Sequence, residues 1–514
     1  MRALEDRRSF SRLLGGSAPI VALVIFKSVD ALSNTVLRAT ALQTFPKSVY
    51  VNLPFCRRRC FYCDFPIKVV GDRPGAAAEA YKPYVSKLLS EMRATAEHLG
   101  RCGLLPPTAS GDEQGDEGGS GRHEAVGINT LYFGGGTPSL CPPELLGKVI
   151  ETVRECFGIA PGAEITAEMD PGTFDEERLA GFLSLGINRV SMGVQSFDAG
   201  LLAACGRAHS VEDVYEALGT ITKAGVENFS IDLISGLPDQ TMEQWSHTLS
   251  ETISTGAAHV SVYDLQVETG TPFGGWYTAG QAPLPTDDSC AEMYRLASKM
   301  LGDAGYGHYE ISNYARPGCQ SRHNRAYWEN VPFLAFGNGA ASYVGGKRFS
   351  RPRRLPEYYT WVERLAREGW TEATASRGAE MATEPVKEAE TKQGGRALKD
   401  EISIEDQLLD VIMLGFRLRE GVDLDALAAT YGDLVVRGIE AGVAEGIERG
   451  WVVRDPVDGA SVKSGGRHRE HEIRGAGRGG LRLSDPDGFL FSNSVISSVF
   501  CELQSLGAMD VKLP

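Results

Sequence analysis

Three of the ten cysteines, Cys56, Cys60 and Cys63, lie within eight residues of one another. Three thiolates can bind three corners of a cubane iron–sulfur cluster, and the fourth iron is then open to a substrate. A structural zinc site is the alternative, but zinc normally takes a fourth protein ligand, commonly from two spaced pairs of residues. The spacing therefore favours a 4Fe-4S cluster over zinc.

Three arginines, Arg57, Arg58 and Arg59, fill the gap between the first and the second of these cysteines. Positive charge beside a thiol favours the thiolate, and it also favours an electron-rich cluster. We therefore expect the three arginines to stabilise a cluster electrostatically.

Other polar residues follow predicted strands at the point where each strand ends. The glycine-rich run at 134–137 lacks side chains, which lets backbone groups approach a small zwitterion closely. The carboxylates of Glu168 and Asp232 can accept bonds from hydroxyl groups, and the amide of Gln195 can donate or accept. Gln266 follows a further strand. Because the carboxyl ends of barrel strands meet at one rim, we expect these residues to line one site.

The elements that must position these residues alternate between short β-rich runs and amphipathic helical patterns from Ser48 to about Leu365. The β-rich runs lie at 49–55, 128–133, 163–169, 188–194, 228–233, 259–265 and 308–311. This alternation predicts parallel strands with crossover helices. An open doubly wound sheet would gather functional groups at one switch point, whereas a barrel gathers them from every strand. The pattern therefore predicts an α/β fold, a partial TIM barrel of (β/α)6 type.

Three stretches interrupt this pattern and are poor in large apolar residues, at 106–125, 371–400 and 459–480. We interpret the first and third as enlarged loops and the second as a linker or insertion between domains. The barrel then spans 48–370, and a second domain spans 401–514.

The second domain is predicted to be small, helical and winged-helix-like. Helical patterns cover 404–419 and 433–449, a short helix runs from Asp423 to about Gly432, and another helix begins near Asn493. Between them, 451–454 and 481–483 alternate as the two strands of a hairpin. Winged modules often bind DNA, but the acidity of the chain favours a packing or substrate-gating role.

Composition supports a globular chain of two or three domains, since 42% of its 514 residues are hydrophobic and 23% are charged. A formal net charge of −15 argues against nucleic acid as a partner. No apolar run reaches the roughly 18 residues that a transmembrane helix needs. Ten cysteines are too few for a disulfide scaffold of this length, so the clustered ones indicate metal chemistry in a reducing compartment.

Residues 1–47 contain seven basic and three acidic side chains, with serines interspersed. This composition resembles an organellar transit segment and predicts a plastid or a mitochondrion as the destination. The alternative is a disordered N-terminus of a cytoplasmic protein.

The C-x3-C-x2-C loop resembles that of the radical S-adenosylmethionine (SAM) superfamily, and its surroundings resemble the HemN/HemW family. That family includes the oxygen-independent coproporphyrinogen III oxidase HemN and the haem chaperone HemW. The resemblance rests on Tyr-Val-Asn-Leu-Pro-Phe-Cys at 50–56 and Cys-Asp-Phe at 63–65. Further matches follow in order at 134–139, 168–171, 191–197, 232–238 and 323–328. It extends from residue 48 to nearly the end of the chain, apart from the insertions.

The resemblance implies a 4Fe-4S cluster on the three cysteines and a SAM molecule beside it. The implied SAM contacts are Tyr50, Tyr62, Gly135, Gly136, Thr137, Glu168, Gln195, Arg207, Asp232 and Gln266. The superfamily's reaction reduces the SAM sulfonium by one electron, giving methionine and a 5'-deoxyadenosyl radical. Because the sequence contains no second cluster or flavin motif, a low-potential electron donor of ferredoxin or flavodoxin type is expected.

One position separates the two branches of the family. The oxidase carries a fourth cysteine two residues after the third, whereas this chain has Phe65 there. Phe65 and the block at 323–328 resemble the HemW branch, which implies binding of haem and its delivery to an acceptor protein. Oxidation of coproporphyrinogen in porphyrin biosynthesis, and a carrier with vestigial SAM chemistry, remain as alternatives.

His323 is the candidate haem-iron ligand, and Tyr327 and Trp328 offer aromatic surface to a porphyrin. The alternative is that 322–328 only packs the barrel against the second domain. Cys319 is the next candidate ligand, although a structural thiol is the simpler interpretation. Cysteines outside the loop, such as Cys102, are expected to be dispensable for the cluster.

Overall fold

The computed structural model describes residues 45–105, 127–370, 403–455 and 478–509. Residues 1–44 of the predicted transit segment lie outside this part of the chain, as do nearly all of the predicted insertions at 106–125, 371–400 and 459–480. In the part that is described, no helix combines the length and the apolar character that crossing a bilayer requires.

Among the residues that the structure describes, thirteen strands belong to the first domain. They are β1 (Ser48–Leu53), β2 (Phe55–Cys56), β3 (Lys68–Val69), β4 (Ile128–Gly135), β5 (Ile159–Met169), β6 (Arg189–Gln195), β7 (Phe229–Ser235), β8 (His259–Asp264), β9 (Gly307–Glu310), β10 (Asn313–Ala315), β11 (Phe333–Phe336), β12 (Ala341–Val344) and β13 (Lys347–Ser350). Eleven of them form one sheet in the order β13-β12-β11-β1-β4-β5-β6-β7-β8-β10-β9, and β2 pairs with β3 separately.

Ten helices accompany these strands. They are α1 (Ala76–Arg101), α2 (Pro143–Phe157), α3 (Glu176–Ser184), α4 (Ala199–Ala204), α5 (Val211–Lys223), α6 (Met242–Ser254), α7 (Pro272–Trp276), α8 (Asp287–Asp303), α9 (Arg322–Trp328) and α10 (Leu355–Glu368). Several begin at a side-chain cap. Thr241, for example, accepts a bond from the Gln244 amide at the start of α6, and the Gln244 side chain accepts one from the Thr241 amide.

The six strands β1, β4, β5, β6, β7 and β8 are neighbours in chain order, and all are parallel. Since the sheet ends in edge strands instead of closing, the predicted partial (β/α)6 barrel is confirmed. We call the end at the carboxyl termini of these strands the upper end and the opposite one the lower end.

Alternation along the strands decides which side chains enter the barrel. On β1, Val49, Val51 and Leu53 belong to the hydrophobic core that also contains residues of the surrounding helices. Tyr50 and Asn52, which alternate with them, line a cavity at the upper end. Period-2 patterning therefore directs apolar groups to the helices and polar groups to the interior.

Two of the differences from the prediction concern the edges of the parallel series. The run at 308–311 forms β9, but it pairs antiparallel with β10 at the sheet edge instead of extending the parallel series. At the other edge β11, which the sequence pattern did not single out, runs parallel to β1. All four residues of β11 are buried, so it has no alternation that could distinguish it from a helix segment.

The described parts of the second domain, 403–455 and 478–509, contain three strands and six helices. They are α11 (Ile404–Gly415), β14 (Val422–Asp423), α12 (Leu424–Tyr431), α13 (Asp433–Gly442), α14 (Ala444–Glu448), β15 (Val452–Asp455), β16 (Gly480–Leu483), α15 (Asp487–Leu490) and α16 (Ser492–Ser505). The strands form an antiparallel sheet in the order β14-β16-β15, which includes the predicted hairpin. The helix predicted over 433–449 is two helices that meet at Val443. A separate hydrophobic core holds these elements together.

Candidate functional site

A cavity of about 230 Å³ opens at the upper end of the barrel. Its lining includes all three cysteines of the loop and all ten residues predicted to contact SAM. These are Cys56, Cys60, Cys63, Tyr50, Tyr62, Gly135, Gly136, Thr137, Glu168, Gln195, Arg207, Asp232 and Gln266. Six strands and the loops that follow them thus bring residues up to 216 positions apart in the sequence, from Tyr50 to Gln266, into one site.

The cysteine loop is closed at its base and braced from within. The short strands β2 and β3 pair in parallel where the loop begins and ends. Inside the loop, the guanidinium of Arg59 donates to the carbonyl oxygens of Cys63 (3.1 Å), Phe65 (3.2 Å) and Ile67 (3.0 Å). These bonds hold the chain around the second and third cysteines in a fixed curve.

One hydrogen bond to a thiol of the loop comes from a distant part of the chain. Arg207 Nη1 lies 3.2 Å from Cys60 Sγ and 3.2 Å from Tyr62 Oη, and its Nη2 bonds to Asp170 and to the carbonyl oxygen of Gly193. Of the three loop arginines, Arg59 acts as expected, because its charge opposes the burial that raises the pKa of the Cys63 thiol. Arg59 also donates to the loop backbone, while Arg57 and Arg58 pair with Asp72. Arg207 therefore links the loop to the ends of β5 and β6.

The donor set fits an iron–sulfur cluster. Burial raises the pKa of the Cys56 and Cys63 thiols to about 12, so metal binding has to displace protons from them. Among the described residues, no three His, Cys, Asp or Glu side chains are close enough to share a single metal ion. A cubane does not require that proximity, because each thiolate binds a different iron.

The glycine run is needed for packing inside the protein. A side chain on Gly136 would meet Leu53 O at 2.7 Å and Phe55 N at 2.8 Å, and one on Gly135 would collide with Asn52 Oδ1. The Gly136 amide donates to Leu53 O at 2.9 Å. Glycine here lets the end of β4 lie directly against the chain between β1 and β2, beside the cysteine loop.

Two partly buried carboxyl groups face the cavity. Glu168 accepts bonds from Tyr132 Oη (2.9 Å) and from the Gly135 amide (3.0 Å), and burial raises its pKa to about 8. Asp232 accepts bonds from Ser191 Oγ (2.9 Å) and Ser230 Oγ (3.1 Å), and burial raises its pKa as well. Each carboxylate oxygen has a second lone pair, so both groups can still accept a ligand hydroxyl.

Two further features of the cavity fit a polar, zwitterionic ligand such as SAM. Arg207 Nε is buried and has no hydrogen-bond partner within the described part of the chain, so a donor is left for an acceptor in the cavity. Gln195 ends β6 at a register shift and has a φ of +69°. Strain of this kind concentrates at functional sites, where it directs a side chain. Gln266 is exposed and follows β8 at the edge of the cavity.

His323 lies at the lower end and does not line this cavity. It is 1% exposed, its Nδ1 is 2.7 Å from Thr130 Oγ1, and its Nε2 is 3.0 Å from Tyr327 Oη. Burial lowers its pKa to about 3. Both ring nitrogens are therefore occupied, and iron ligation requires one of these bonds to break. The role of His323 as a haem ligand stays a prediction.

The helix that carries His323 connects the two domains. The carboxylate of Glu164 on β5 accepts bonds from the amides of Arg322 (3.3 Å) and His323 (3.1 Å) at the start of α9. At its other end, Trp328 belongs to the hydrophobic core of the second domain. This is the arrangement expected of a packing segment. Cys319, just before α9, is partly buried, and its thiol is 3.9 Å from the Pro317 carbonyl oxygen.

Sequence reasoning missed two residues of the site. Asp170 orients Arg207, and its position two residues after Glu168 was an available signal. Tyr132 donates to Glu168, and its ring stacks on His323 at a centroid distance of 5.0 Å. The alternation of Thr130 and Tyr132 with Leu131 and Phe133 could have predicted that both enter the barrel.

Comparisons with known proteins agree with this architecture. The radical SAM superfamily model matches residues 51–251, and the HemN C-terminal domain model matches residues 402–457. The haem chaperone HemW of Synechocystis sp. is 36% identical over 465 residues, which cover 90% of this chain and 99% of the relative. A zebrafish (Danio rerio) protein named radical S-adenosyl methionine domain-containing protein 1, mitochondrial, is 30% identical, covering 75% of this chain and 77% of the relative.

The solved structure of Escherichia coli coproporphyrinogen III oxidase (HemN), a radical SAM enzyme, has the same fold. It superposes with a TM-score of 0.64 at 20% sequence identity, covering 90% of this chain and 91% of the oxidase. The superposition extends over both domains, so the second domain is shared along with the barrel.

Proposed function

The chain belongs to the HemW family of the radical SAM superfamily, and on that basis we propose that it is a haem chaperone, which binds haem and delivers it to acceptor proteins. The observation that carries the proposal is the 36% identity to the Synechocystis haem chaperone over 99% of that protein. An alignment of this length includes the barrel and the second domain together. Phe65, in place of the fourth cysteine of the oxidase, agrees with it.

Membership of the superfamily implies a 4Fe-4S cluster and SAM as cofactors. We propose that Cys56, Cys60 and Cys63 hold the cluster, and that the ten predicted contacts around the cavity hold SAM. When bound, the pair supplies one-electron chemistry. The protein's part is to hold the cysteine loop through Arg207, to present the carboxylates of Glu168 and Asp232, and to limit the access of water.

No observation favours the other two functions that the sequence left open. In the oxidase, a cysteine stands at the position of Phe65, whose side chain here lines the cavity. Phenylalanine has neither a proton nor a thiolate to contribute to chemistry there. We therefore expect no conversion of coproporphyrinogen III.

The remaining partners follow from the same proposal. A reduced cluster needs a low-potential donor, and we propose a ferredoxin or a flavodoxin. We also propose that the protein works in an organelle. The composition of residues 1–47 and the mitochondrial name of the zebrafish relative support this location, whereas the cyanobacterial relative is compatible with a plastid. Fractionation of cells expressing the full chain tests the location.

Haem titration of the full chain, reconstituted without oxygen, tests the function. We expect about one haem to bind per chain and to transfer to an apo-acceptor, with no protoporphyrinogen formed from coproporphyrinogen III in the presence of SAM and a reductant. Turnover of coproporphyrinogen would contradict the chaperone proposal and favour the oxidase function. Release of 5'-deoxyadenosine, measured in the same samples, distinguishes an active SAM site from a vestigial one.

A further inference from the structure

A haem chaperone needs a place for its cargo, and the lower end of the barrel does not provide an open one. Both nitrogens of His323 are bonded, and no residue of α9 lines the cavity at the upper end. Several residues that line this cavity are not among the predicted contacts of the cluster or of SAM. Arg58, Phe65, Pro66 and Arg353 also line it, and none of them is a predicted cluster or SAM contact. We call these four residues the mouth group.

Arg353 is a positioned cation with donors to spare. Its backbone carbonyl accepts a bond from the Nδ2 of the fully buried Asn338 (3.0 Å), which fixes the chain between β13 and α10. Its Nη2 donates to the carbonyl oxygen of Asp64 at 2.9 Å. No other hydrogen bond from this guanidinium occurs within the described residues, and the side chain is 33% exposed. Nε and Nη1 can therefore bind a ligand carboxylate.

Arg58 also has donors to spare, in contrast to its neighbour Arg57. Arg57 is fixed by Asp72 at 2.6 Å and by the carbonyl oxygen of Gly172 at 2.9 Å. Arg58 reaches Asp72 only at 3.5 Å, and its side chain is 60% exposed. Of these two arginines, Arg58 is the one with donors available at the cavity.

The acidic groups nearby leave hydrogen-bond donors of Arg353 free. Asp64 Oδ2 is 3.8 Å from Arg353, beyond hydrogen-bond distance, so the Arg353 fork is not saturated by that carboxylate. Burial, and to a lesser degree Asp64, raises the pKa of Glu268, which lines the same cavity. Phe65 and Pro66, in the same cavity lining, supply apolar surface that a planar ring can contact.

We propose that the haem cargo binds at the mouth of the cavity, with its propionates on Arg353 and Arg58 and one porphyrin face against Phe65 and Pro66. This inference rests on the proposed haem-chaperone function and assigns its cargo site. Haem combines a large apolar plane with two carboxylates, and the mouth group offers the complement of both. Phe65 then has a positive role, because it contacts the cargo where the oxidase has a cysteine.

Iron protoporphyrin IX and its dimethyl ester together test the site, since the ester keeps the ring and the iron but loses both negative charges. Both are titrated from the same detergent solution into the full chain carrying its cluster. We expect the ester to bind about tenfold more weakly or worse, because charge-assisted hydrogen bonds to the propionates are lost. Equal affinity for the two forms would overturn the inference, while failure of both to bind would overturn the proposed function itself.

Variants then show which arginines bind the propionates. Arg353→Met should weaken binding of the free acid about tenfold and leave the ester unchanged, and Arg58→Met should have a smaller effect of the same kind. Arg367→Met is the matched control, because Arg367 on α10 is 73% exposed and does not line the cavity. Weakening of acid and ester alike in Arg353→Met, or equal weakening in the Arg367 control, would contradict the assignment. Thermal unfolding of each variant checks that the fold is retained.

Discussion

The upper and lower ends of the barrel are built from similar polar residues. They differ in how many hydrogen-bond donors and acceptors of those residues remain free for a ligand. At the upper end, Arg207 Nε is buried with no partner among the residues that the structure describes, and Gln195 keeps a left-handed backbone. At the lower end, the two nitrogens of His323 and the two carboxylate oxygens of Glu164 all have partners within the protein. For these residues, unused hydrogen-bonding capacity, more than residue type, distinguishes the ligand site from the packed interior.

The two ends are nevertheless in contact. Tyr132 bonds to Glu168 above it and stacks on His323 below it. A second chain of hydrogen bonds leads from Asp232 through Ser230 and His259 to Tyr309. The Tyr309 hydroxyl accepts a bond from the amide of Ser321 at the start of α9. The lower end thus supports the floor of the cavity, and its variants should act on stability before they act on ligands.

The largest expected effect is at the upper end. In Cys60→Ala the reconstituted protein should fall from about four irons per chain to nearly none, because three ligands offer no redundancy. Iron and acid-labile sulfide analysis after anaerobic reconstitution measures this. Cys501→Ala is the control, since Cys501 is exposed on α16 in the second domain. Retention of the full cluster in Cys60→Ala, or its loss in the folded control, would show that the ligand set is wrong.

The next largest effect is at the lower end. His323→Ala removes a buried ring and leaves Thr130 and Tyr327 without their partner, which should lower the free energy of unfolding by about 2–4 kcal/mol. Tyr327→Phe, which deletes only the hydroxyl, should cost about 1 kcal/mol. Urea denaturation of the cluster-free chain measures both.

Haem binding by the same variants decides between packing and ligation. If α9 only packs, haem affinity and the haem absorption spectrum should change little in His323→Ala where the protein is still folded. A changed spectrum in the folded variant would assign the iron ligand to His323 and would require α9 to move on haem binding.

The sequence was sufficient for the upper end because its signals are local. A cysteine loop, a glycine run and polar residues at strand ends each mark a rim position, and a parallel barrel brings all rim positions together. The barrel was predicted on this basis and the family from the resemblance of its motifs, and both are confirmed. The roles of the individual SAM contacts remain predictions.

The lower end could not be predicted because its chemistry depends on pairs of distant residues. Whether His323 is open or satisfied depends on Thr130, which is 193 positions away in the sequence. The arginine that reaches a cluster cysteine is likewise 147 positions from it, whereas three arginines inside the loop were the natural expectation. Sequence adjacency describes the loop well, but it does not give the hydrogen-bond partners that only folding supplies.

The pH dependence of the free energy of unfolding should also differ between the upper and lower ends of the barrel. Burial raises the pKa of Glu168 to about 8 from an ordinary value near 4.5, so folding favours its protonated form. Its stabilising contribution is complete below about pH 4.5 and is lost as the pH rises to about 8, by on the order of 2–4 kcal/mol. Glu168→Gln should flatten this part of the stability profile, measured by urea denaturation between pH 5 and pH 9. Glu164→Gln at the lower end is the control, and an equally flattened profile there would contradict the assignment to Glu168.

The smallest expected effect separates strain from function at a single residue. Gln195 has a φ of +69°, which glycine adopts without penalty, so Gln195→Gly should stabilise the apo-protein by about 0.5–1 kcal/mol. The same change deletes an amide that faces the cavity, so SAM affinity should fall several-fold, measured by calorimetry on the cluster-loaded chain. Gln195→Asn is the matched control, because asparagine tolerates a left-handed backbone and keeps an amide. If Gln195 is a strained ligand contact, the glycine variant should be more stable than the native chain and should bind SAM more weakly. If the glycine variant is less stable than the native chain, the side chain of Gln195 contributes to packing, and the upper end resembles the lower end at this position.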